Sequence, residues 1–352
     1  MKLPRIVIKI ILLAIAGFVA VQFAAAQSAV DLFYKGRSVP LLVGFAPGGI
    51  NDISARLVAR YLPRFLPGTP NFVVQNQPSA GGLAVANYIY NIAPKDGSVL
   101  AGLDRGAPQL AIEGEPEAKF DPLKFTWLGS ISSYANDAYL LLVNASSPIK
   151  TVEDLRKPGP PIKLGAVGAG SSNLIFAQIA RDVLHLNIEI IRGYTGAAPL
   201  FLAMQNGELD GQVVGLSSTR SGQPDLWNNK LVRPLVQFGR TTRLPELADV
   251  PTGRELAPDE NARALIAFAE LPFFMALPFV GPPDLPRERA KLLQDAFAEM
   301  CKDKDFVADA QKIGLDVSPI GAGQLVDLLV RSAATPAAVI ARYNAIMSPP
   351  KN

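Results

Sequence analysis

The sequence predicts an α/β protein of two lobes, each a mostly parallel sheet flanked by helices. Strand-like and helix-like stretches alternate over residues 38–103 and again over 138–238, the pattern of a parallel sheet covered on both faces. Glycine-bearing turns follow the strands, at Gly44–Gly49 and Gly81–Gly82 in the first stretch and at Gly168–Gly170 and Gly193–Gly196 in the second. About 326 residues follow an N-terminal leader, enough for two separate cores.

The leader is read from its layout. Lys2, Arg5 and Lys9 precede the apolar run Ile10–Val21, and Ala24-Ala25-Ala26 offers a small-residue cleavage site before Gln27. This is the order of a secretory signal peptide, with cleavage expected after Ala26. The run is short for a membrane span, and an uncleaved anchor is the alternative. The whole chain has 34 Lys+Arg against 31 Asp+Glu; losing the three leader bases leaves 31 against 31. A near-neutral mature chain gives no charge reason to invoke nucleic acid or a membrane surface. Cys301 is the only cysteine, so no internal disulfide is possible; with export, this fits a bacterial periplasm.

In chain order, Val39–Phe45 reads as a strand and Ile53–Phe65 as a helix that Pro63 should shorten. Phe72–Gln75 is a strand, Leu83–Ala93 a helix stopped by Pro94, and Ser98–Leu103 a strand. Residues 104–137 are expected to be irregular, with a crossing near Trp127–Ser133. Then come strand Ala138–Val143, a short helix opened by Thr151-Val152-Glu153-Asp154 in capping-box style, and strand Lys163–Val167. Helix Leu174–Leu184, strand Ile188–Ile191, helix Pro199–Asn206 and strand Leu209–Val214 follow, with Leu231–Phe238 as the last strand of this part. The apolar run Ala267–Val280 is interrupted by Glu270, Pro272 and Pro278 and reads as a buried strand region, with the strand itself at Phe273–Val280. Arg287–Cys301 and Asp303–Ile313 are amphipathic helices, Leu315–Ser318 a short strand, and Ala322–Met347 a helix interrupted at Pro336. The expected division is a signal peptide over 1–26, a discontinuous first lobe of 27–130 plus 249–352, and a second lobe of 131–248.

Phe45-Ala46-Pro47-Gly48-Gly49-Ile50-Asn51-Asp52 joins a strand to a helix start. Glycines let backbone come close to a ligand, and the open N–H groups of a helix start attract an anion. Asn51 or Asp52 would serve as the cap, and Asp52 could instead meet a ligand ammonium or a bridging water; the cap is favoured. A tight structural connection is the plainer alternative. Ser171 and Ser172 open a helix after Gly168 and Gly170, and either bind a carboxylate or simply cap the helix. Tyr194 and Thr195, before Gly196 and Ala197, offer an aromatic wall and a hydroxyl, or loop packing.

Catalytic readings fare poorly. The spacing Gly168-x-Gly170-x-x-Asn173 is an imperfect dinucleotide turn, with asparagine at the third glycine position. His185 is the only histidine and sits at a helix end; no G-x-S-x-G elbow, zinc ligand set or EF-hand loop is present. The turns supply amides, hydroxyls and glycines, which bind without catalysing. No enzyme activity, cofactor or metal is expected.

Taken together, these turns resemble those of the tripartite tricarboxylate transporter substrate-binding proteins, the Bug receptors. The matching stretches are Gly44–Asp52 with Ala55-Arg56, Val73–Gly82, Ala93-Pro94-Lys95-Asp96-Gly97, Gly168–Ser172, Tyr194–Pro199 and Val250-Pro251-Thr252, in the family's order. The resemblance implies a type II-like periplasmic binding protein with the ligand cleft between its lobes. It implies a monomer that captures a small organic carboxylate (a di- or tricarboxylate, an amino acid or an aromatic acid) and delivers it to integral membrane transporter subunits. A receptor that feeds a signalling system is the alternative. By position, the resemblance points to Phe45, Gly48, Gly49, Asn51, Asp52, Gly81, Gly82, Ser171, Ser172, Tyr194, Thr195, Gly196 and Ala197. The chain departs from the family pattern at Gln77 (commonly arginine), Ser79 (glycine), Asn173 (histidine) and Thr195 (lysine), so tricarboxylate specificity is not implied.

Overall fold

The computed structural model describes residues 32–78, 82–168 and 171–348. The signal peptide and Gly81 lie outside the described residues. In chain order the first elements are β1 (Ser38–Val43), α1 (Ile50–Tyr61), β2 (Asn71–Asn76), α2 (Leu83–Asn91), β3 (Leu100–Gly102), α3 (Ala107–Glu113) and β4 (Thr126–Ser130). The middle of the chain forms β5 (Tyr139–Asn144), β6 (Ile162–Gly165), α4 (Ser172–Asp182), β7 (Ile188–Ile191), α5 (Ala197–Gln205), β8 (Gly211–Gly215), α6 (Leu216–Gly222), α7 (Pro224–Asn228) and β9 (Val232–Phe238). Then come α8 (Gly253–Leu256), α9 (Glu260–Phe274), β10 (Pro278–Gly281), α10 (Arg287–Met300), α11 (Lys304–Lys312), β11 (Ile320–Gly321), α12 (Ala322–Ala333) and α13 (Ala337–Met347).

Two compact units result. The first comprises the described chain up to Asp104, Lys124–Gly129 and Phe279–Asp309. Its strands run in the order β4-β10-β3-β1-β2. β1 pairs in parallel with both β2 and β3, and β10 runs antiparallel to β3. Val39, Leu41, Leu42 and Val43 of β1 are all buried, as a strand covered on both faces requires. Pro63 converts the end of α1 into a 3-10 turn over Leu62–Phe65, because its ring nitrogen cannot continue the α-helical ladder.

The second unit comprises Arg105–Leu123, Ser130–Pro278 and the chain after Asp309. Its sheet runs β7-β6-β8-β5-β9. β6 is parallel to β7 and β8, whereas β5 is antiparallel to β8 and β9. Both sheets are thus mixed, and the parallel strands carry the glycine turns. Phe176, Phe238 and Phe273 meet in the core, with ring centroids 4.8 and 5.5 Å from Phe176. Tyr343 of α13 packs edge-on to Phe268 of α9.

Three expectations are corrected. Residues 104–137 contain a helix, α3. The run Phe273–Val280 is not one strand, because α9 continues through Pro272 to Phe274 and only Pro278–Gly281 is extended. Asp259 starts that helix by accepting the Ala262 amide at 2.7 Å. At Leu315–Ser318 there is an isolated bridge, Ser132 to Ser318, and the strand is Ile320–Gly321. The division into units also differs from the expected lobes: residues 249–278 and the chain after Asp309 group with the second unit. The reason is packing, since Phe268, Phe273, Val339 and Tyr343 belong to the core around Phe176.

Candidate functional site

In the first unit the turns after β1 and β2 touch. A Cβ added at Gly44 would lie 2.4 Å from the Gly82 Cα, so these glycines let the two backbones meet. The half-buried ring of Phe45 lies against Gly82. Gly48 takes a positive φ of 91°, and Gly49 caps α1 without any side-chain acceptor. The cap is therefore neither Asn51 nor Asp52. Asp52 is 2% exposed and holds the turn from inside. Its carboxylate accepts the Gly48 amide at 2.8 Å, Arg56 Nε at 3.0 Å and Asn76 Nδ2 at 2.9 Å. Burial pushes this carboxyl's pKa up, but the donors from Arg56, Gly48 and Asn76 outweigh it and hold the pKa below the usual range. Asn76 also donates to the Phe45 carbonyl at 3.0 Å, tying β2 to the turn. Asp52 is thus closed to a ligand by its own partners, and the Gly48 amide is taken. The exposed Gly49, Ile50 and half-buried Asn51 carry the open end of the helix.

In the second unit the carboxyl ends of β6, β7 and β8 share one edge of the sheet. The amino end of β5 joins them there, since Tyr139 is paired with Gly215. This edge collects Gly168, Ser171, Ser172 and Tyr194–Ala197. Ser171 is the cap of α4: its hydroxyl accepts the Leu174 amide at 3.3 Å and donates to the Gly168 carbonyl at 2.8 Å. Asn173 is structural. Its amide group bridges the Val167 N–H at 2.9 Å and the Val213 carbonyl, locking β6 to β8. Tyr194 is half-buried against the core that includes Leu200, Phe201 and Val214, and Thr195 is exposed. Gly196 caps α5 in extended conformation, again without a side-chain acceptor.

Three groups at this edge escaped the sequence reading. Asp137 accepts the Ala138 amide at 2.8 Å, the Ser217 amide at 3.1 Å and the Ser217 hydroxyl, joining β5 to α6. Its burial, opposed by these donors, raises the carboxyl's pKa. Arg240 gives its Nη1 to the carbonyls of Tyr134, Ala135 and Asp137, which fixes the loop before β5. Arg105 stacks on Phe273, 4.6 Å from the ring centroid, and its Nη2 donates to the Ser172 hydroxyl at 3.3 Å. Nothing in local spacing marks Arg105, which follows β3 in a stretch without a motif. His185 is exposed just beyond α4, in the left-handed region at φ 55°.

A groove of about 870 Å³ in the second unit is lined by Arg240, Arg254, Phe268, Leu271, Phe274 and Arg331 among others. None of the glycine-turn residues lines it. Arg254 is committed to the fully buried Glu270 at 2.5 Å. Among the described residues no three His, Cys, Asp or Glu side chains are grouped to hold a metal, and no single helix is long and apolar enough to cross a membrane.

Two mixed α/β sheets with flanking helices, carrying glycine turns at their parallel strand ends, are the fold this chain shares with solved solute-binding proteins. The chain belongs to the tripartite tricarboxylate transporter family receptors (TctC), whose family model matches residues 55–344. The "UPF0065 protein in gbd 5'region" of Cupriavidus necator is 30% identical over 236 residues, which cover 66% of this chain and 67% of that protein. The crystal structure of a TctC solute binding protein from Polaromonas superposes with a TM-score of 0.68 at 18% identity, covering 88% of this chain and 99% of that one. MatC from Rhodopseudomonas palustris, solved with bound malate, gives a TM-score of 0.54 at 20% identity over 89% of this chain and 99% of its own. These structural likenesses establish the fold.

Proposed function

We propose that this protein is an exported, non-catalytic receptor that captures a small carboxylate and delivers it to the membrane subunits of a tripartite tricarboxylate-type transporter. The observation that carries this reading is a pair of helix starts, α1 and α5, each capped by a glycine that offers no side-chain acceptor. A helix start without an internal acceptor leaves N–H donors and a positive dipole end for an anion. In this reading each unit carries its own candidate ligand contacts: Phe45, Gly49 and Asn51 in the first, and Ser172, Tyr194, Thr195, Gly196 and Ala197 in the second. Family membership supports it, as does the malate bound to MatC. At the turns, Asp52 and Ser171 are already hydrogen-bonded within the fold.

The test is a thermal-shift screen of mature protein, unfolded and refolded to strip carried-over ligand. The panel is mono-, di- and tricarboxylates, amino acids and aromatic acids. A cognate carboxylate at about 100 times its Kd stabilises by roughly 2.7 kcal/mol. A shift with a carboxylate is the expected result. Shifts confined to neutral or cationic solutes would overturn the reading.

A further inference from the structure

The geometry points to Arg105 as the cation that takes one carboxylate group of the ligand and sets the receptor's preference for a fully ionised acid; this rests on the carboxylate reading above. The start of α5 supplies partial charge only, and a full positive charge in the same unit would add to it. In the first unit the nearest cation, Arg56, is bound to Asp52 at 2.9 Å and cancels an acid. In the second unit Arg220 pairs with Glu246, and three of Arg240's donor contacts go to carbonyls through one nitrogen. Arg105 differs from all of these. No described carboxylate lies within ion-pair distance of it, and its surroundings are hydroxyl and aromatic groups.

The placement is also built. The guanidinium lies over the Phe273 ring, and that ring is itself held 4.8 Å from Tyr134 and 5.1 Å from Tyr139. Stacking fixes the plane of the guanidinium, and its N–H edge faces only neutral acceptors, the hydroxyls of Ser172 and Tyr134, which a carboxylate would displace. Its Nη2 reaches the hydroxyl of Ser172, the first residue of α4. A carboxylate at this edge therefore meets a planar fork, a serine hydroxyl and the first turn of an eleven-residue helix. Ser171 cannot replace Ser172, because its hydroxyl already donates and accepts within the cap. The phenols of Tyr134 and Tyr139 are neutral, since burial drives their pKa values far above the ordinary range.

Arg192 is the control. It is exposed in the turn after β7, beside Gly193, and has the same charge without the aromatic support.

The experiment measures Kd by calorimetry for malate, succinate and benzoate, and for the neutral benzamide, in four proteins: wild type, Arg105→Gln, Arg105→Lys and Arg192→Ala. Ligand-free melting temperatures confirm that each is folded; Arg105→Gln keeps much of the stem over Phe273, and Arg105→Lys keeps the charge. The expected result is a loss of about tenfold or more for the acid the wild type binds, in Arg105→Gln. Arg105→Lys recovers part of it, because a point charge lacks the fork, and Arg192→Ala stays within about twofold. If benzoate binds, its advantage over benzamide should shrink in Arg105→Gln. Wild-type binding of a carboxylate with Arg105→Gln unchanged would overturn this assignment while leaving the receptor reading intact. Failure of the wild type to bind any of the three acids, with shifts in the wider screen confined to neutral or cationic solutes, would overturn both.

Discussion

Asp52 shows how one residue type can be placed correctly in a motif and still be misassigned. Asparagine and aspartate next to a helix start are the usual caps, so Asn51 or Asp52 is a sound expectation. The structure uses a glycine as the cap and turns Asp52 inward, where three donors meet its carboxylate. Asp52→Asn keeps the shape and removes the charge. It should cost about 1.5–3 kcal/mol, the range for hydrogen bonds to a charged group. The pH dependence follows from the sign of the shift. Burial alone would raise the pKa, but Arg56, Gly48 and Asn76 bring it below the unfolded value. Stabilisation of this kind is complete above the unfolded carboxyl's pKa and is lost as the pH falls through the lower folded value. Urea midpoints of wild type and Asp52→Asn should therefore differ at pH 7 and converge on acidification below about pH 3.9, the ordinary aspartate value. A gap that persists unchanged in acid would show that shape, not charge, holds the turn.

At the scale of elements, the paired glycine turns separate packed glycines from open ones. Gly44 has no room, because its Cβ would press on the Gly82 backbone at 2.4 Å. Gly49 has an ordinary φ of −81°, and a Cβ there would meet no heavy atom within 4 Å. Gly44→Ala should thus destabilise by about 1–3 kcal/mol through overpacking. Gly49→Val should leave the melting temperature nearly unchanged and abolish carboxylate binding by blocking approach to the start of α1. Equal ligand affinity in Gly49→Val would move the contact off this turn. Most elements were legible because strand and helix periods alternate with turn residues; Ile188–Ile191 agrees to the residue, and Pro63 and Pro336 act where expected. The misread elements share a cause. α9 is apolar over its second half and carries Pro272, so the run resembles a buried strand, and only Asp259 upstream marks a helix start. The glycine turns were legible in the sequence, since glycines after strands are local signals. Arg105 was not, because its meaning comes from Phe273 and Ser172, which are distant in sequence and local only in the fold.

For the whole molecule, the route of the chain couples the stability of its units. The first unit is interrupted by a segment of roughly 150 residues, Ser130–Pro278, that belongs to the second. Within the second unit the two ends of that segment are pinned together: Leu277 N donates to Ser130 Oγ at 3.0 Å, and Ile131 N to the Leu277 carbonyl at 3.1 Å. While the second unit is folded, the long excursion costs the first unit little. Once it unfolds, the first unit must close a flexible loop of that length, at a cost on the order of 4 kcal/mol. Damage to the second unit should therefore destabilise the first without touching it. Tyr343→Ala supplies the damage, removing a buried ring 5.3 Å from Phe268 and costing about 3–5 kcal/mol. Each unit carries its own probe. Cys301 belongs to the first; it is 4% exposed, with burial pushing its thiol pKa up to about 12, so it is protected until that unit opens. Trp227 belongs to the second and packs beside Arg220. With Trp127→Phe as the common background, urea unfolding is followed by Trp227 fluorescence and by thiol labelling of Cys301. The expected outcome is that Tyr343→Ala lowers both midpoints together. A fluorescence midpoint that falls while the labelling midpoint stays in place would mean that the first unit holds its loop closed unaided.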